Sequence, residues 1–117
     1  MEDKNTFMYD EDSDRLMISC KKENDIIDGS IRILNLILDI TTTKKVANIE
    51  LLDASSYLES LGINPDILNK LTGAGMSLKT LRNGYLITIL LKTGKKAVYV
   101  PYNIHIPYKR QIEVISS

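Results

Sequence analysis

The sequence predicts an α+β fold with mainly antiparallel strands in two groups, joined by two short helices. Three observations predict it. Short runs rich in Ile, Leu, Val, Thr and Tyr occupy both ends of the chain, bounded by polar or glycine-containing stretches. Two stretches with helix-capping residues, 53–62 and 64–73, lie between them. The length of 117 residues suits one core, so 1–117 is read as a single domain. Within it, 7–56 is strand-rich, 57–73 holds the short helices and 74–117 is a strand meander.

The first half yields its elements in order. TFMY (6–9) and RLMISC (15–20) are apolar runs flanking an acidic stretch and read as two strands. KKENDIIDGS (21–30) is polar and reads as a loop. In IRILNLILDI (31–40) helix and strand periods both fit, so periodicity alone does not decide. As a strand, it lines one face with Leu34, Leu36, Leu38 and Ile40. TTTKK (41–45) is then a polar turn and VANIELL (46–52) another strand, the β-favouring Thr run opposing a continuous helix.

The middle changes character. Asp53, Ser55 or Ser56 can cap a helix, and Ser56 with Glu59 has capping-box spacing. Leu58 and Leu61 form its apolar stripe, and Gly62 suits its stop. Asn64 is the cap of the second helix, with Pro65 at its first position and Gly73 at its end. Ile67, Leu68 and Leu71 share one face. Beyond it, Asn83-Gly84 and Thr93-Gly94 mark hairpin turns between MSLKTLR, YLITILL and KKAVYVPYNIHI. In the third run Val98, Val100, Tyr102, Ile104 and Ile106 alternate onto one face. Pro101 and Pro107 cannot donate to a ladder, which puts this strand at an edge or ends it near Pro101.

Composition bounds the class. With 44% hydrophobic and 26% charged residues, the chain resembles an ordinary soluble domain. No apolar run approaches the roughly 20 residues that span a bilayer, so no membrane partner is expected. MEDKNTF lacks the basic and then apolar regions of a signal peptide, so a cytoplasmic location is expected. Charge is lopsided: residues 1–59 carry 13 acids and 7 bases, residues 60–117 carry 2 acids and 8 bases. This asymmetry suggests nucleic-acid contact by the basic half, or head-to-tail contact between copies. The simpler expectation is that both halves mix in one small fold and their fields largely cancel, since exposed charges are screened within roughly 10 Å.

Candidate chemistry is sparse. Asp10, Asp12 and Asp14 open like a calcium loop, but Arg15 replaces the glycine of its sixth position and Lys21 the glutamate of its twelfth. They fit a tight turn better, because Asp side chains bond nearby backbone N–H groups. Glu50 and Asp53 read as a strand end followed by a helix cap rather than as catalytic carboxylates. His105 is the single histidine, and its alternation with Ile104 and Ile106 turns it to solvent. Cys20, the single cysteine, ends an apolar strand and reads as a small buried or half-buried residue. TGAG (72–75) lacks the lysine of a phosphate loop. No catalytic residue, metal or cofactor is therefore assigned.

Two short motifs carry a resemblance. Tyr9, Asp10, Asp14, Leu16, Met17 and Ile18 match a Y-D-x-x-x-D-x-L-Y-I opening, and 46–55 (VANIELLDAS) matches a V-x-G-I-E-I-L-D-A-S segment. Met17 stands where Tyr is usual, and Asn48 where Gly is usual. Over residues 7–56 the chain resembles a family of small prokaryotic domains of unknown function. The resemblance implies a small β-rich domain without an established activity. It also implies that an antitoxin or partner-binding role is thinkable, since some members lie beside predicted toxin genes.

Two partner expectations follow. Many Ile and Leu on short strands in a small domain point to a self-associating interaction module, with a homodimer favoured and a partner protein possible. The alternative is a nucleic-acid contact through Lys92, Lys95, Lys96, Lys109 and Arg110, interleaved with Tyr99, Tyr102 and Tyr108. Lysines at hairpin turns also keep strand edges soluble without any ligand.

Overall fold

The computed structural model describes residues 5–105. Two antiparallel sheets pack face to face, as a mainly β architecture. The first half forms β1 (Thr6–Asp10), β2 (Arg15–Ser19), β3 (Ile27–Ile33), β4 (Leu36–Thr41) and β5 (Val46–Leu52), in spatial order β1-β2-β5-β4-β3. Helix α1 (Ala54–Ser60) and a 3-10 turn (Pro65–Asn69) follow. Strands β6 (Gly73–Leu81), β7 (Gly84–Thr93) and β8 (Lys96–His105) form a three-stranded meander. Each sheet is continuous in sequence, and the helical link carries the chain from one to the other.

Alternation builds the core. On β2, β4 and β5 the buried apolar residues are Leu16 and Ile18, Leu36 and Leu38, and Ala47, Ile49 and Leu51, and Thr41 is buried at the end of β4. The opposing layer presents Ile87, Ile89, Leu91, Val100 and Tyr102, with Leu58 of α1 and Leu68 closing one end in the same apolar cluster. Across the meander, Met76, Ile89 and Val100 stand in one row. One buried cluster takes side chains from both sheets, so the inner face of each layer is covered by the other.

Several boundaries differ from the sequence reading. The 31–40 run is not one element. It is the end of β3, a two-residue turn at Leu34–Asn35, and β4. Leu34 adopts φ 54 and stands exposed instead of facing the core. The loop expected over 21–30 gives way to β3 from Ile27. The second helix is a 3-10 turn, and Gly73 begins β6 rather than ending that helix. The first hairpin of the meander turns at Arg82–Asn83, one residue before Asn83-Gly84, with Leu81 opposite Gly84. Asn64 and Pro65 hold the expected cap positions, the Asn64 side chain accepting from the Asp66 amide at 3.0 Å. Gly62 stops α1 at φ 77, a conformation that costs glycine little. Strand β8 is an edge, which accommodates Pro101.

Asn35 ties the layers together at one end. Its Nδ2 donates to the Leu52 carbonyl at 2.9 Å, and its Oδ1 accepts from the Tyr102 hydroxyl at 2.7 Å. The Tyr102 ring lies 5.2 Å from that of Tyr57, whose hydroxyl donates to the Pro101 carbonyl at 2.7 Å.

Because Ile89 is fully enclosed between the sheets, Ile89→Ala is expected to lower unfolding free energy by about 2–5 kcal/mol. Urea denaturation followed by circular dichroism measures this. A loss well under 1 kcal/mol would contradict the packed interface.

Candidate interaction site

The acidic stretch folds as a turn. Asp10 Oδ1 accepts from the Asp12 amide at 3.1 Å and Oδ2 from the Ser13 hydroxyl at 2.8 Å. Asp14 goes further. Held at φ 56, its carboxylate accepts from the Tyr9 hydroxyl at 2.6 Å, the Ser55 amide at 3.0 Å and the Ser55 hydroxyl at 2.7 Å. Its carbonyl accepts from the Ala54 amide at 3.0 Å. The first two amides of α1, Ala54 and Ser55, are thus satisfied by a residue distant in the sequence, Asp14. Asp53 occupies the adjacent cap position in a left-handed conformation without a side-chain cap bond, so the capping expected of 53, 55 and 56 is supplied by Asp14.

Burial raises the Asp14 carboxyl, but the bonds from Tyr9 and Ser55 outweigh it and hold it below the usual carboxylate range. Burial first, and Asp14 second, push the Tyr9 phenol up to about 12. This constellation is structural. The acids that resemble catalytic carboxylates are occupied or apart: Glu50 pairs with Arg15 at 2.9 Å on the outer face of the sheet. Cys20 is half-buried, and burial raises its thiol. Among the described residues, no three His, Cys, Asp or Glu gather as metal ligands. His105 ends β8 opposite Gly84, and Ile106 lies outside the described residues.

The surfaces are more informative. On the outer face of the larger sheet, Met8, Met17, Glu50, Ile37 and Arg32 stand in one row across the strands. Beside it Asp39 accepts from Ser30 at 2.6 Å and from Asn48 at 2.9 Å. A shallow groove of about 470 Å³ runs between these rows. Exposed large apolar side chains stand at both edges of this sheet: Met8, which also lines the groove, on edge strand β1, and Ile26 and Leu34 beside edge strand β3.

The expected cationic cluster is placed in part. Lys92, Lys95 and Lys96 are exposed around the β7–β8 turn, whereas Lys109, Arg110 and Tyr108 lie outside the described residues. Tyr99 is exposed on the outer face of the meander. Tyr102 cannot join it: only 4% exposed, it faces the core and bonds Asn35. The two halves also do not mix their charge. Residues 73–105 carry five cations and no acid, whereas residues 6–52 carry nine acids and six bases. Since those ranges are the two sheets, opposite sides of the sandwich differ in sign.

No family model, curated protein or solved structure matches this chain. Among the described residues, no helix is long and apolar enough to cross a membrane. Sequence reasoning placed Asp14 in a turn and missed its hold on α1. The available signal was the joint presence of the tyrosine–aspartate opening and the later Asp53-Ala54-Ser55.

Asp14→Ala is expected to cost about 1–3 kcal/mol, because two helix amides and the Tyr9 hydroxyl lose their acceptor. The pH dependence has a defined sign. Asp14 is depressed in the folded state, so its stabilisation is complete above the unfolded value of about 3.9 and is lost as pH falls below it. Tyr9 is raised, so its part is present below about 10 and is lost as pH climbs from there towards about 12. Urea midpoints across pH are expected to show both declines, with Tyr9→Phe reducing the alkaline one and Tyr57 and Tyr102, also raised, supplying the rest.

Proposed function

We propose that this chain is a protein-interaction module that acts without catalysing a reaction and associates with copies of itself, as a dimer. The observation that carries this reading is the placement of exposed apolar side chains, Met8, Ile26 and Leu34, on or beside sheet edges. An open edge offers unpaired N–H and C=O groups, and apolar neighbours add area to any strand that docks there. Two-fold self-pairing is the commonest way to cover such an edge. A partner protein, such as a small toxin, would use the same surface by strand addition. That antitoxin-like role, and membership of the small prokaryotic family, rest on the resemblance carried by the Tyr9–Ile18 and Val46–Ser55 motifs.

The segregated charge favours a second reading, nucleic-acid binding by the meander. A face with cations at one turn, an exposed Tyr99 and no acid suits a single strand by phosphate contact and stacking.

Sedimentation velocity over a micromolar concentration series is expected to show a dimer, and a monomer throughout would refute self-association. Fluorescence anisotropy with a labelled single-stranded oligonucleotide separates the second reading. Binding at low salt that weakens steeply with added salt, and in Lys95→Gln/Lys96→Gln, would move the assignment to nucleic acid.

A further inference from the structure

We propose that β3 pairs with β3 of a second copy, antiparallel and centred on Ser30, so that the two five-stranded sheets continue into one. This rests on the self-association reading and names its surface.

Strand β3 is an edge of the larger sheet. Ile33 pairs with Leu36 across the two-residue turn, and in such a hairpin the closing pair exchanges hydrogen bonds. By alternation Ile31 and Gly29 also bond towards β4, while Ser30 and Arg32 direct their N–H and C=O groups outward. The Asn35 carbonyl, which accepts from the Leu52 amide at 2.7 Å on the β5 side, fits the same alternation. A two-fold axis at Ser30 therefore sets outward groups against outward groups.

That register has two further properties. It puts Asp28 opposite the partner's Arg32, and Arg32 opposite the partner's Asp28. Both side chains are exposed, Asp28 lying 4.0 Å from the Lys44 ammonium and Arg32 donating to the Leu34 carbonyl at 3.2 Å. It also puts Ile26 opposite the partner's Leu34. These residues are 65% and 80% exposed, among the most exposed large apolar side chains described. Centring the axis on Asp28 or Arg32 instead sets like charges face to face, which destabilises a cross-strand pair. The bulge between Ile27 and Gly29 shortens the backbone ladder, so the charged and apolar pairs at its ends select the register.

The test uses the whole chain. Asp28→Arg and Arg32→Asp each replace two attractive pairs by two repulsive ones, so each is expected to weaken the dimer about tenfold in sedimentation equilibrium. The double variant Asp28→Arg/Arg32→Asp is expected to restore it. Independently, Ser30→Cys in a Cys20→Ser background is expected to give a disulfide-linked dimer under mild oxidation, since facing residues of a hydrogen-bonded pair lie about 5.5 Å apart at Cα. A dimer that neither single variant weakens and that Ser30→Cys does not cross-link would overturn this edge while leaving self-association intact. A parent chain that stays monomeric would overturn both.

Discussion

The architecture depends on one carboxylate. Asp14 closes the β1–β2 turn, takes a proton donor from Tyr9 on the edge strand, and accepts from the start of α1. That helix is where the chain leaves one sheet for the other. Its seven residues are too few to be stable alone, so its direction must be imposed from outside. Asp14 imposes it at the N-terminus, while Leu58 anchors its buried side between the layers. Release of either would leave the meander without a fixed approach to the larger sheet.

The periodic parts of the fold were readable. Strand–turn–strand alternation, the Asn64–Pro65 start and the Gly62 stop all follow from local steric and hydrogen-bonding preferences, and the structure holds them. The parts that were hidden share a cause. The Leu34–Asn35 turn uses a leucine at positive φ, where turn chemistry leads one to look for glycine or asparagine. Its run of branched apolar residues then disguised two strands as one. The cap of α1 comes from a distant residue, and no local pattern announces it. What the alternation of Tyr102 with Val98 and Val100 did not announce is its partner, Asn35 at the β3–β4 turn of the other sheet, which takes it away from the lysines. Of the candidate site, the residue types were legible from composition, and their placement on edges and faces was not. That placement follows from which strand ends up outermost.

The charge pattern illustrates the difference between sequence and space. An even mixture of acidic and basic halves would follow if strands from the two halves interleaved. They do not, because each sheet is closed by its own hairpins before the link is made. Opposite charge is therefore carried by opposite layers, and like faces of two copies repel. A strand edge, where Asp28 and Arg32 of one strand alternate in sign, escapes that repulsion.

Contiguity of each sheet in sequence also orders events in time. The larger sheet is complete once Leu52 has been made, but its inner surface waits for residues up to His105. At ribosomal speeds the interval is about 3–10 s. Over that interval Leu16, Ile18, Leu36, Leu38, Ile49 and Leu51 form an uncovered apolar plane on the nascent chain. Transiently exposed apolar surface of that kind is aggregation-prone, so substitutions that slow docking of the meander would show up as lower soluble yield before they changed the finished fold.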